Sequence, residues 1–244
     1  MNVARIPPEV RNDIEDQSLA ILERISDHVV VIGGWAVRAV LGPVHGRFSL
    51  DVDGVAAAED IDLVRQVLWD TGFDVVRTDW GYRMYEPYEP RVDVGDRDPE
   101  VLEGIEIRVE VSEPRMYDVQ TGHYYEFPLE ETERRTLRYH GDDRELSITV
   151  PTCERLAGNK LGLPVDFKNN YDAAMLLAVA DVDRVVEIIL GTDDWREMVL
   201  RRGPKQIGRF RQSGRIERVL AREAGLDVEG YVRTLRRIHE AIRK

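Results

Sequence analysis

Asp51 and Asp53 stand two residues apart in RFSLDVDGV, and this spacing narrows the options for the chain more than any other feature. In an extended strand, side chains alternate between faces. The two carboxylates therefore project side by side, while Leu50 and Val52 turn toward a core. Upstream, VVVIGGWAVRAVL reads as an apolar strand from Val29 to Ile32, a Gly33-Gly34 turn and a short helix from Trp35 to about Leu41. A loop closing on Arg47 leads back into the acidic strand. Paired acids beside a glycine turn at a helix N-terminus form a cradle suited to metal-bound phosphates.

The rest of the chain divides into two characters. Residues 8–27 predict an amphipathic helix with Val10, Ile14, Ile21 and Ile25 on one face and Pro8 in its first turn. His28, at the start of the next strand, reads as structural. Glu59 to Trp69 predicts a helix stopped by Gly72, followed by a strand over Phe73–Arg77. Asp60 and Asp62 fall on that helix, so they diverge by about 200° and read as surface charges. YRMYEPYEP suits an edge strand and turn, RVDV a short strand, and IEIRVEV (Ile105–Val111) a half-buried strand with Glu106, Arg108 and Glu110 on its polar face. HYYEF, RTLRYH and ELSITV continue the strand pattern to residue 150.

From Pro151 onward the pattern is helical. Thr152 is an N-cap candidate for a helix to about Leu163, and FKNNYDAAMLLAVA, VDRVVEIIL, DDWREMVLRR, IGRFRQS, RIERVLAREAGL and VEGYVRTLRRIHEAIR follow. The expectation is an α+β chain, with an α/β half over residues 1–150 and a helical domain over 151–244.

Composition excludes several classes. The longest apolar runs fall well short of the ~20 residues a membrane span needs. The opening MNVARIPPEVRNDIEDQ carries early acids and no apolar h-region. Cys153 is the only cysteine, which rules out a disulfide framework and any multi-cysteine zinc site. A cytoplasmic protein without a membrane segment is expected. The net charge of −12 hides an asymmetry: residues 201–244 hold 13 Lys/Arg against 5 Asp/Glu, leaving 21 against 41 in the remainder. A basic tail on an acidic body is either a solvated helical surface or a local site for a polyanion.

Taken in order, Gly33-Gly34, Arg47-x-Ser49-x-Asp51-x-Asp53 and a later strand acid resemble the nucleotidyltransferase superfamily. The form G-G-W-A-V followed by R-x-S-x-D-x-D is similar to its antibiotic-modifying adenylyltransferases and to the AbiEii/MenT-like toxin nucleotidyltransferases. ITVPTCERLAGNKLGLPVDFKNNYDAAMLL resembles the toxin branch further, with Lys160, Lys168 and Asp172 in matching positions. Two features depart from the pattern: Gly54 stands where a large apolar residue is usual, and the final acid of the later helix motif is absent.

The resemblance implies a mixed β-sheet nucleotidyltransferase core followed by helices. It also implies transfer of NMP from ATP or another NTP to a hydroxyl of RNA (a tRNA end included), protein or a small molecule, with pyrophosphate released. Asp51, Asp53 and a third acid would hold two Mg²⁺ ions. Glu110 is preferred as that acid for its cleaner alternation, with Asp93 as the alternative. Gly33, Gly34, Arg47, Ser49, Lys160 and Asp172 would bind nucleotide. The toxin branch also implies an antitoxin protein partner, and the basic tail leans toward an RNA acceptor. A non-catalytic nucleotide-binding or regulatory module of the same fold is the competing reading.

Overall fold

The structure is a computed structural model that describes residues 6–45, 47–92, 102, 104–118, 122–139, 144–212 and 216–244. Its centre is a pair of parallel strands that sequence alternation specifies well. β2 (Asp51–Val55) lies beside β5 (Glu106–Ser112) in register, Asp51 opposite Arg108 and Asp53 opposite Glu110. Ile107, Val109 and Val111 are fully buried on one face of β5, so the polar residues between them must share the other.

β1 (Val30–Ile32) pairs antiparallel with β2 on its far side and parallel with β9 (Arg144–Pro151). β8 (Thr132–Tyr139) closes that end, while β4 (Gly81–Pro87) and β3 (Asp74–Thr78) extend the other. The result is a seven-stranded mixed sheet of order β3-β4-β5-β2-β1-β9-β8, with a separate hairpin of β6 (Arg115–Asp118) and β7 (His123–Glu126).

α1 (Pro8–Ile25) starts at its proline and buries Val10, Ile14, Ile21, Leu22 and Ile25 against β2 and β5. α2 (Gly33–Leu41) begins at the glycine pair, and α3 (Ala58–Trp69) buries Ile61, Val64 and Leu68. Asp62 pairs with Arg65 at 2.7 Å and Asp60 meets His28 at 3.1 Å, so neither acid belongs to the cleft.

Beyond β9 come α4 (Cys153–Gly162), α5 (Phe167–Leu177), α6 (Val182–Leu190), α7 (Asp193–Arg211), α8 (Ile216–Glu223) and α9 (Val228–Ile242). Thr152 caps α4 by accepting the Arg155 N–H. The buried apolar residues form one cluster that runs from the sheet into these helices. The chain is thus α+β with a mixed sheet and C-terminal helices. No helix among the described residues is long and apolar enough to cross a membrane.

Three expectations need correction or placement. The YRMYEP segment is not an edge strand: β4 pairs with both β3 and β5, and β3 is the edge. The edge signature came from Pro87, which ends β4 and therefore withdraws no N–H from the middle of the ladder. DDWREMVLRR and IGRFRQS form one continuous helix, α7, in spite of Pro204. Trp195, Met198, Val199 and Phe210 are buried along it, and that packing outweighs the hydrogen bond lost at the proline. Of the expected RVDV strand, Arg91 and Val92 are not in a strand, while Asp93 and Val94 lie outside the described residues.

Candidate active site

Asp51 and Asp53 share one face of β2, and Glu110 stands directly across the parallel ladder from Asp53. This is the consequence of two alternating strands aligned without offset. The acids open into a cleft of about 770 Å³ lined by Gly33, Asp53, Glu110 and Lys160, with Trp80, Tyr117, Tyr125 and Phe127 on its apolar walls. Asp51 lies beside this cleft rather than on its surface.

The glycine turn fits closely beneath the acids. Gly33 has φ +67°, and a Cβ there would fall 2.0 Å from Asp53 Oδ2. At Gly34 a Cβ would fall 2.4 Å from Ser49 Oγ and 2.8 Å from the Arg47 guanidinium. The chain needs glycine at both places to bring the start of α2 against the acidic strand. No described side chain caps that helix start, so its N–H groups are left for an anion. Gly33→Ala should cost about 1–2 kcal/mol from its left-handed backbone alone and push Asp53 out of line. Urea unfolding and nucleotide titration would measure this, and wild-type values for both would refute the tight fit.

The acids are poorly neutralised. Burial, then the charges of Asp51 and Glu110, push Asp53 up to about 7 from its ordinary 3.8. Asp51 Oδ1 is buried with no hydrogen-bond partner, the Arg108 guanidinium being 3.8 Å away. Glu110 accepts from Arg83 Nε at 2.7 Å. In this arrangement no three described His, Cys, Asp or Glu side chains converge as a metal site. The donor chemistry still fits a hard divalent cation: the oxygens are carboxylate, one is buried and unpartnered, and mutual repulsion favours any cation that enters.

Behind the glycine turn lies a buried network that unites two distant stretches of sequence. Asp172 is fully buried and accepts from Arg47 Nε at 3.0 Å and Nη2 at 2.9 Å, from His45 Nε2 at 2.9 Å and from Lys160 Nζ at 2.9 Å. Burial alone would raise its pKa. Lys160, His45 and Arg47 outweigh that effect and hold its carboxyl well below the usual range. His45 is lowered as well, here because burial outweighs its bond to Asp172, which disfavours the charged ring. Tyr171 completes the network by donating to the His45 carbonyl at 2.8 Å.

The structure therefore brings Gly33, Asp53, Glu110 and Lys160 into one cleft and sets Asp51 beside it. Gly34, Arg47, Ser49 and Asp172 lie beneath it as support: Asp172 is sealed from solvent, and Arg47 is committed to it. Lys168 lies elsewhere on α5 and Asp93 outside the described residues. His45 had no signal in the sequence as a member of this network. A side chain at Gly54 would meet Val29 Cβ at 3.2 Å, which accounts for the absence of a large residue there.

No protein-family model and no curated protein matches the sequence. Among solved structures the chain is similar to a protein of H. pylori provisionally named a nucleotidyltransferase, at 16% identity over 98% of each chain with a TM-score of 0.47. It is also similar to the antibiotic-resistance factor ANT(2'')-Ia in its solution structure, at 14% identity over 72% of this chain and 86% of that one, TM-score 0.44. The complex of ANT(2'')-Ia with adenylyl-2''-tobramycin matches at 13% identity over 75% and 95% respectively, TM-score 0.45. These identities are too low to carry a residue's role from one chain to the other.

Proposed function

We propose that the protein is a Mg²⁺-dependent nucleotidyltransferase that moves NMP from an NTP to an acceptor hydroxyl and releases pyrophosphate. One observation carries the reading: Asp53 faces Glu110 in register, with Asp51 alongside, against an uncapped helix start at Gly33 and an ammonium at Lys160. In-line transfer forms a bond from the acceptor oxygen to Pα and breaks the bond from Pα to the bridging oxygen of pyrophosphate. Two Mg²⁺ ions held by Asp51, Asp53 and Glu110 would supply charge stabilisation on the attacking and leaving oxygens.

The chain's own groups supply the rest. The α2 N–H groups and Lys160 receive the triphosphate, and Asp172 anchors the Lys160 ammonium at 2.9 Å. Glu110, once released by Arg83, takes the proton of the attacking hydroxyl. Arg47 and Ser49 set the shape of the turn from below.

The acceptor side of the reading is broader. Arg201, Lys205, Arg211 and Arg222 are exposed on α7 and α8, which favours an RNA acceptor through its phosphates. An antitoxin partner belongs to the same reading by resemblance alone. We also keep the division into a nucleotidyltransferase-like domain over 1–150 and a helical domain over 151–244, since Thr152 begins an all-helical run. A cytoplasmic setting belongs to the same proposal. A second reading, a nucleotide-binding module without transfer, draws on the ion pairs that Arg83 and Arg108 make with the acids.

α-Labelled NTPs offered with Mg²⁺ and total RNA, protein or small aminoglycoside acceptors separate the two. The proposal expects label on an acceptor, pyrophosphate in solution, and neither in EDTA. Tight NTP binding without transfer to any acceptor would establish the module instead.

A further inference from the structure

α4 presents one face to the cleft: Leu156, Asn159, Lys160 and Leu163, at positions one helical turn apart. Lys160 on this face is accounted for by Asp172, but Asn159 is not. Asn159 is only 2% exposed, yet both its side-chain nitrogen and its side-chain oxygen lack any hydrogen-bond partner. A buried carboxamide with two unmade bonds is unfavourable in a folded core, and a leucine of similar size would remove the penalty. Asn159 is instead one of the residues that line the cleft, together with Leu156, Leu163, Tyr125 and Phe127. An apolar slot with one unspent donor and one unspent acceptor matches a flat heterocycle whose edge offers the complementary pair.

We propose that Asn159 reads the base of the bound nucleotide. The inference rests on the reading of the cleft as an NTP site and adds its specificity. The Asn159 oxygen accepts from an exocyclic amino group, and its NH₂ donates to the adjacent unprotonated ring nitrogen. Adenine and cytosine carry that edge, and a carboxamide pairs with adenine in this bidentate manner in nucleic-acid readout. The neighbouring Lys160 takes the triphosphate, so adjacent residues on one helix divide base from phosphate.

The test is direct binding, independent of transfer. Non-hydrolysable analogues of ATP, CTP, GTP and UTP are titrated calorimetrically into the full chain with Mg²⁺, using wild type, Asn159→Leu and Asn159→Asp. Wild type should bind the adenine or the cytosine analogue at least about tenfold tighter than the guanine and uracil analogues. Asn159→Leu should melt no lower than wild type and bind all four within about threefold of one another. Asn159→Asp replaces the donor with a second acceptor and should shift preference toward guanine, whose N1–H and N2–H are both donors.

Discrimination that survives in Asn159→Leu, or a wild-type preference for guanine or uracil, would overturn the inference while leaving an NTP site intact. Failure of wild type to bind any of the four would overturn the NTP reading itself.

Discussion

Asp53→Asn should abolish nucleotidyl transfer and, in the same protein, raise the stability of the metal-free fold at neutral pH. The first effect follows from the proposed role of the carboxylate: Asp53 would help hold Mg²⁺, and loss of that oxygen ligand should remove several kcal/mol of transition-state stabilisation, a fall of at least about a thousandfold in rate. The second follows from the crowding of Asp53 by burial, Asp51 and Glu110, which takes its pKa from 3.8 to about 7. A folded-state pKa above the unfolded one means the stabilising contribution is complete below about pH 4 and is lost as pH rises through 7.

The ionised carboxylate then costs roughly 4 kcal/mol at most, and asparagine does not carry this cost. Urea unfolding in EDTA should therefore show the variant and wild type equal near pH 4 and separating up to pH 7, the variant being more stable. Millimolar Mg²⁺ should recover the difference in wild type alone, since only it gains a ligand that binds the folded state. A variant no more stable than wild type at pH 8 would contradict the crowding, whatever happened to activity.

The strand half of this site was legible because its signals are local. A two-residue period fixes which side of β2 and β5 each acid takes, and a glycine pair before a helix fixes the turn. Register lies outside that information: alternation places Glu110 on the polar face of β5, but only the pairing of β5 with β2 puts it opposite Asp53 rather than one step along. Sheet order is likewise non-local, so β4 could be read as a strand and still be misplaced at the edge.

The Asp172 network is the extreme case. Its acceptor and the side chains of His45 and Arg47 are more than a hundred residues apart in sequence, and nothing about an isolated histidine before R-F-S indicates a buried carboxylate partner. Asn159 escaped for a different reason. An asparagine in an amphipathic helix reads as a solvent-facing side chain until burial reveals that both its polar atoms are unmatched. α7 illustrates the reverse error, where a local signal, Pro204, was overruled by tertiary packing.

Asp172→Asn should be strongly destabilising, although the residue is not part of the cleft lining. The wild-type carboxylate accepts from Arg47, His45 and Lys160 at 2.9–3.0 Å in a site closed to water. The amide keeps the shape but offers an NH₂ to a ring of donors. Arg47 and Lys160 are left as buried positive charges, 10% and 7% exposed in their side chains, without their counter-ion. Removing one partner of a buried pair typically costs about 3–5 kcal/mol, a large share of the roughly 5–15 kcal/mol that holds a domain together.

The pH dependence carries a sign opposite to that of Asp53. Asp172 is held below its ordinary 3.8, so its contribution is present above that pH and fades as pH falls below it. The gap between wild type and variant should be constant from about pH 5 to 7 and narrow below pH 4. Adding Lys160→Met should return part of the loss, because the double change removes the stranded charge along with its acceptor. A purely additive pair of losses would mean that Lys160 does not depend on Asp172 for its position, and the link from buried network to phosphate site would be broken.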